Sequence, residues 1–208
     1  LSLSQATEAG TVYRPGEVEA LADVAHRHGM AVHMDGARFA NALARLGCTP
    51  AELTWRADVD VLSLGGTKGG CLAAEAVVFF NPALAEDFGY LRKRGGHLVS
   101  KGRFLSAQLD AWLAGGLWLR LAAHANAMAD RLAAGLGALP GAELAYPVEA
   151  NEVFARLPEP VIAGLEAAGF RFYRWEGGLV RLITAFDTPA AAVEEFLSAA
   201  RHFSKKSA

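Results

Sequence analysis

The amino-acid sequence predicts an α/β protein, with a mostly parallel, doubly wound sheet followed by a smaller α+β lobe. Three observations carry that expectation. β-Favouring runs alternate with helical stretches through the first part of the chain, the pattern of a sheet wrapped by helices. Residues 74–80 (Ala-Glu-Ala-Val-Val-Phe-Phe) are nearly all apolar, as in a strand covered on both faces. After Asn81-Pro82 the texture changes to long helical stretches mixed with short strands. The expected boundary puts residues 1–95 in the larger domain and residues 96–208 in a small C-terminal domain.

Residues 1–5 open as a short apolar-rich strand, and Arg14-Pro15-Gly16-Glu17 punctuates the chain. From Val18, the spacing of Leu21, Val24, Ala25 and His28 or Met30 predicts a helix that Gly29 stops. Residues 31–34 favour β structure and run straight into Asp35-Gly36-Ala37-Arg38, after which a helix ends near Gly47. Thr49-Pro50-Ala51-Glu52 combines a capping threonine, a proline at the first helical position and a glutamate at the third, which predicts another short helix. Residues 60–64 form a compact strand leading into Gly65-Gly66-Thr67-Lys68-Gly69-Gly70.

Beyond Asn81-Pro82, a helix over residues 101–113 breaks at Gly115-Gly116 and resumes through Leu117, Leu121, Ala125, Met128, Leu132 and Leu136. Pro140-Gly141 ends it. A strand over 152–157, a helix over 161–168 stopped by Gly169, and a strand over 179–184 follow. Thr188-Pro189 starts the last helix, with Val193, Phe196, Leu197 and Ala200 on one face. The Lys/Ser-rich tail from Ser204 is expected to fray.

Composition narrows the function. With 208 residues, 52% of them hydrophobic, the chain is long enough for one core plus a small second lobe. A net charge of −2 and the lack of a basic block argue against nucleic acid as a partner. Cys48 and Cys71 fit no metal-ligand spacing and read as reduced thiols of a cytoplasmic protein. The longest apolar runs are too short to span a bilayer, so no membrane partner is expected. The sequence opens at Leu1, without methionine and directly in a strand, which predicts a natural N-terminal region ahead of it.

Two strand ends carry unusual polar cargo. In Val32-His33-Met34-Asp35-Gly36-Ala37-Arg38 an acid and a base emerge as a β run ends; in Leu62-Ser63-Leu64-Gly65-Gly66-Thr67-Lys68 a lysine emerges in a glycine-rich turn. Open α/β sheets bind ligands at the carboxyl ends of their strands. An amine and a carboxylate delivered there suit pyridoxal 5′-phosphate (PLP). Its aldehyde needs a lysine, and its pyridine nitrogen needs an acid to keep it protonated. Lys68 and Asp35 fit those roles, and the glycines beside Lys68 are expected to let the backbone approach the cofactor. On these residues by themselves, an ordinary Asp-Gly turn and a solvated lysine are an equally good reading. A phosphate loop is a poor fit, because Gly69 rather than Ser or Thr follows Lys68.

Arg181 is a further signal, since it interrupts the apolar strand Leu179-Val180-Arg181-Leu182-Ile183. A guanidinium there requires an anion, either a ligand carboxylate or a Glu or Asp of the fold. His33 lies two residues before Asp35 and so on the same strand face, where it supports the site or simply sits as a satisfied core histidine.

The ordered set His33–Arg38, Ser63–Lys68, Arg94-Gly95-Gly96-His97-Leu98-Val99-Ser100-Lys101, His124–Ala129 and Val180–Asp187 closely resembles the low-specificity L-threonine aldolases. These belong to the β-eliminating-lyase group of fold-type-I PLP enzymes. The resemblance spans essentially the whole chain and implies part of an aspartate-aminotransferase-type large domain, followed by a small domain. It implies Lys68 as the Schiff-base lysine, Asp35 as the partner of the pyridine nitrogen, and Thr67 as a cofactor contact. Arg38 and Arg181 fall on arginines that hold the substrate α-carboxylate, while Lys101 reads as a solvated lysine or a phosphate contact. The implied reaction is retro-aldol cleavage of a β-hydroxy-α-amino acid, L-threonine or L-allo-threonine, to glycine and acetaldehyde, in a homo-oligomer (dimer or tetramer).

Two departures from the pattern stand out. The resemblance implies a glycine-rich phosphate cup and a ring stacking on PLP, carried by a preceding segment, and this sequence shows no candidate for either. Where some relatives place a histidine, this chain has Gln5-Ala6-Thr7-Glu8, so the general base stays open. The chain as given is therefore expected to bind PLP weakly or not at all, and a bare sheet edge would invite association. The alternatives are a related PLP lyase acting on another amino acid, or a catalytically silent fragment serving as an association module.

Overall fold

Parallel pairing of three short strands builds the sheet that carries the candidate site. The computed structural model describes residues 1–175 and 178–206, which divide into two compact units. The first holds Leu1–Thr7 and Val12–Leu121; the second holds Glu8–Thr11 and Ala122–Ala208. The expected boundary lay after Gly95, whereas the first unit runs on to Leu121.

In the first unit, β1 (Ser2–Ser4), β2 (His33–Gly36), β3 (Val61–Gly65) and β4 (Glu75–Phe79) form one sheet in that order. β1, β2 and β3 run parallel, and β4 returns antiparallel to β3. The mixed sense has a simple cause. Helix α1 (Pro15–Arg27) and helix α2 (Phe39–Leu46) cross over between the first three strands, but the link from β3 to β4, residues 66–74, holds no α-helix, just a 3₁₀ turn.

α1 starts at Pro15, with the Glu17 carboxylate accepting from Arg14 N at 2.7 Å. Its buried stripe is Val18, Ala22 and Ala25, so Val24, expected on that face, is 45% exposed. β2 begins at His33 rather than at residue 31, which leaves Asp35 and Gly36 inside the strand. α2 ends where expected, at Gly47 in the left-handed region (φ 65°). No α-helix follows at 49–52. Thr49 N donates to Glu52 Oε2 at 2.8 Å and Glu52 N to Thr49 Oγ1 at 3.3 Å, but the turn passes directly into a 3₁₀ turn at Trp55–Ala57. Buried Leu53 and Thr54 anchor that segment, and Thr54 Oγ1 donates back to Pro50 O at 2.6 Å.

Two helices complete this unit before the second begins. Helix α3 (Phe88–Arg94) was not anticipated in the sequence. Helix α4 (Arg103–Leu113) ends at the expected break, where Gly115 and Gly116 both take positive φ. Helix α5 (Leu117–Gly137) then leads out of the first unit.

The second unit is an antiparallel sheet with helices. β5 (Glu143–Leu144), β6 (Glu152–Arg156), β7 (Tyr173–Trp175) and β8 (Leu179–Ile183) pair in the order β5-β6-β8-β7. β5 and β7 were not anticipated; at two and three residues they are too short to show alternation. Helices α6 (Glu159–Ala167) and α7 (Ala190–Lys206) pack with them around Leu136, Val153, Leu165, Val180, Val193 and Leu197. The expected fraying from Ser204 does not occur at that residue: α7 continues to Lys206, and Ser204 is buried. The last two residues of that tail lie outside the described residues.

Asp60 ties the first sheet together at the amino-terminal end of β3. Its Oδ2 accepts from Val32 N at 2.8 Å and meets His26 Nε2 at 2.9 Å, while Oδ1 accepts from Asn81 Nδ2 at 3.1 Å. Burial pushes its carboxyl up, but the hydrogen bonds from His26, Val32 and Asn81 outweigh that and hold it below the ordinary value. A carboxylate depressed in the folded state stabilises above its unfolded pKa, roughly 3.9, and loses that contribution as pH falls through the folded value. Asp60→Asn should therefore lower stability at neutral pH and flatten the acid limb of a denaturation-versus-pH series below about pH 4. An unchanged acid limb would show that the cluster contributes nothing.

Candidate active site

The register of β2 and β3 sets the site. Asp35 pairs with Ser63 and Gly36 with Leu64, so both strands finish at the same edge of the sheet. Just beyond that edge, Thr67–Gly69 forms a 3₁₀ turn that carries Lys68. The two strand exits touch, because a Cβ built on Gly65 would stand 2.7 Å from Ala37 Cα. Asp35 lies two residues before that contact and Lys68 three residues after it.

The donor set suits a small aromatic aldehyde bearing a ring nitrogen. Asp35 Oδ1 accepts from Ala37 N at 3.0 Å, which ties one carboxylate oxygen to the backbone. Its other oxygen has no hydrogen-bond partner among the described residues. The Lys68 amine is exposed and likewise has none there. An open primary amine and an open carboxylate oxygen thus share one strand edge, which fits the two groups PLP requires.

His33 occupies the same face of β2, one pleat before Asp35. Its Nδ1 lies 2.9 Å from Ser2 Oγ and its Nε2 2.9 Å from Ser63 Oγ. A hydrogen-bonded row therefore crosses β1, β2 and β3 beneath the carboxylate. Both ring nitrogens are engaged, so His33 supports the face of the sheet rather than offering a free base. Ser2 and Ser63 were not singled out in the sequence; their signal was a hydroxyl in each strand, placed by register on either side of His33.

The glycines of the lysine turn face the protein itself, contrary to the expectation that they clear space for a cofactor. A Cβ on Gly66 would meet Ala74 O at 2.6 Å, and one on Gly69 would meet the Trp112 ring at 2.7 Å. Gly36 is equally confined, 2.7 Å from Ser63 O by the same measure. Thr67 also ties the turn internally: its Oγ1 accepts from Ala74 N at 3.2 Å, and its N donates to Glu75 Oε1 at 3.3 Å. Arg38 is half-buried directly after β2, at the start of α2. Gln5 is fully buried, with its amide bonded to Tyr13 O at 2.8 Å and Tyr13 N at 3.0 Å. A carboxamide so engaged takes no proton.

Arg181 belongs to the second unit, where β8 pairs it with Phe154 of β6 and Tyr173 of β7. Its Nε donates to Glu152 Oε1 at 3.0 Å and its Nη2 donates to the same oxygen. Of the two anions that the sequence admits, the fold supplies one. The Glu152 side chain is fully buried and that of Arg181 is 20% exposed. Phe154 and Trp175 flank the guanidinium, 5.9 and 5.6 Å from their ring centroids. Arg181 also lines a cavity of about 270 Å³, together with Phe172, Tyr173, Thr184 and Thr188.

Comparison with known proteins gives the family and the fold. The sequence profile of the β-eliminating lyases matches residues 1–159. A low-specificity L-threonine aldolase from a Pseudomonas species is 51% identical over 196 residues, covering 94% of this chain and 57% of that protein. The chain thus spans little more than half the length of that curated relative. Among solved structures, the Leishmania major threonine aldolase superimposes with a TM-score of 0.89 at 31% identity, covering 98% of this chain and 60% of that one. An Oryza sativa TDC solved with PLP gives a TM-score of 0.74 at 17% identity, covering 99% and 48%, a likeness of fold only. The fold is that of the fold-type-I enzymes.

The packing of the lysine turn gives a direct expectation. Gly66→Ala should destabilise the protein by about 1–3 kcal/mol, because the new methyl has backbone carbonyl on one side and nowhere to move. Gly89→Ala, in α3 with open space around it, should be neutral or stabilising by up to about 1 kcal/mol. Denaturant melts of both variants check the contrast.

Proposed function

Because this chain belongs to the β-eliminating lyase family, we propose that it serves a PLP-dependent aldehyde-lyase cleaving L-threonine or L-allo-threonine to glycine and acetaldehyde. One observation carries the reading: the Lys68 amine and the Asp35 carboxylate leave neighbouring parallel strands at a common edge. The 51% identity to a low-specificity L-threonine aldolase supports the substrate class.

In this reading the first unit is the PLP-binding portion and the second is the small domain. Lys68 offers its primary amine to the cofactor aldehyde. Asp35 holds the proton on the pyridine nitrogen, with the His33 row fixing the sheet beneath it. Thr67 contributes a hydroxyl beside the lysine, while its oxygen stays anchored by Ala74 N. Arg38 in the first unit and Arg181 in the second are each candidates to pair with the substrate α-carboxylate. For Arg181 the guanidinium is held along its Nε–Nη2 edge by Glu152 and between two rings, so Nη1 remains to bind a ligand. The chemistry gained from the cofactor is an electron sink for the pair released when Cα–Cβ breaks. The protein acts in the cytoplasm as a homo-oligomer, dimer or tetramer. Two free thiols and the exposed side chains of Leu72, Tyr90 and Phe104 support that placement.

The test is titration of the protein with PLP, followed by borohydride reduction and peptide mapping. In the full-length protein that carries this chain, the expected result is a visible absorption band and covalent label on Lys68, with both lost in Lys68→Ala. Threonine should then give acetaldehyde and glycine, and Lys68→Ala should cut that rate by at least about 10²-fold. Label on another lysine, or release of pyruvate and ammonia in place of acetaldehyde, would overturn the assignment.

A further inference from the structure

The turn that carries Lys68 is gripped by a single helix. Gln108 and Trp112 of α4 lie four residues apart, hence on one helical face. Gln108 Oε1 accepts from Leu72 N at 2.9 Å and from Ala73 N at 3.2 Å. Its Nε2 donates to Phe104 O at 3.0 Å, which fixes which end of the amide faces the turn. Trp112, 2% exposed, donates its indole N–H to Gly69 O at 2.9 Å, with its ring packed against the Gly69 backbone. Helix α4 therefore holds the residue immediately after Lys68 and the return arm that leads into β4.

We propose that Gln108 and Trp112 are positioning residues, which set where the Lys68 amine stands at the sheet edge. The inference rests on Lys68 as the cofactor lysine only in its last step; the grip itself is a property of this chain. Lys68 has no hydrogen-bond partner among the described residues, so its own side chain does nothing to fix the turn. Gly69 and Gly70 follow it, and two glycines in succession make a soft backbone (Gly70 stands at φ 122°). The turn is thus located by what its carbonyl and N–H groups bind elsewhere.

A purely structural bond would behave differently. Leu72 is 88% exposed and Ala73 is exposed, so water can replace Gln108 at their N–H groups. Removing the Gln108 acceptor should accordingly cost little global stability while freeing the turn to move. Trp112 is the opposite case, since its buried ring is part of the packing and only its N–H belongs to the grip.

Three variants separate these roles. Gln108→Leu keeps the side-chain size and removes the acceptor; Gln108→Glu keeps the acceptor; Trp112→Phe keeps a ring and removes the donor. The first readout needs no cofactor. A neutral acylating reagent labels Lys68 and the exposed Lys93 in the same chain, and mass spectrometry gives the ratio of their rates. The ratio should change at least threefold in Gln108→Leu and in Trp112→Phe, and return to within twofold of the parent in Gln108→Glu. Melting of Gln108→Leu should stay with the parent. A ratio unchanged in both Gln108→Leu and Trp112→Phe overturns the proposal, as does a change that Gln108→Glu fails to restore.

The second readout is the midpoint pH of the visible band formed with PLP, which should shift in Gln108→Leu and be restored in Gln108→Glu. A merely structural contact would leave it in place. If even the full-length protein that carries this chain forms no band while the labelling ratio still moves as stated, the cofactor assignment fails and the positioning role stands.

Discussion

Two parallel strands paired in register finish at the same edge of their sheet, and the side chains that leave those ends are forced into company. Here Asp35 pairs with Ser63, and the chain beyond each strand is so close that Gly65 has no room for a Cβ against Ala37. Neither the acid nor the amine is drawn there by the other. They meet because Val32, Met34, Leu62 and Leu64 are buried and hold the two strands in place. A one-residue slip of β2 would turn Asp35 and His33 into that apolar layer and bring Met34 out, so the register that buries the core also exposes the chemistry.

Around that edge the structure spends its polar contacts on rigidity. The Ser2–His33–Ser63 row links three strands below Asp35, and Asp60 draws together His26, Val32 and Asn81 at the other end of the strands. Gln108 and Trp112 hold the lysine turn from α4. The Lys68 amine and one oxygen of Asp35 have no hydrogen-bond partner among the described residues. A site organised in this way presents its reactive groups while their supports stay fixed, which is the arrangement expected of preorganised chemistry.

Much of this was legible in the sequence, and the reasons for the rest are physical. Asp35 and Lys68 stood out because each emerges where a β run ends, and Arg181 because it interrupts an apolar strand, where burial demands a partner. The partner of Arg181 did not stand out, because Glu152 reaches it only through antiparallel pairing of β6 with β8, a long-range register that no local pattern encodes. The glycines beside Lys68 were visible but misread: which surface confines a missing Cβ depends on neighbours such as Ala74 and Trp112 from other segments. The Thr49–Glu52 signal did form its hydrogen bonds, yet burial of Leu53 and Thr54 turned the chain before a helix could grow. Local chemistry announces itself, whereas its supports are assembled from a distance.

If one small ring bridges the two strand ends, a crystal structure of the protein soaked with PLP will show it. The expected electron density joins Lys68 Nζ to the aldehyde carbon and places an Asp35 carboxylate oxygen within about 2.6–3.0 Å of the pyridine nitrogen of the same ring. A cofactor bound through Lys68 with its nitrogen turned away from Asp35, or held at some other lysine, would contradict it.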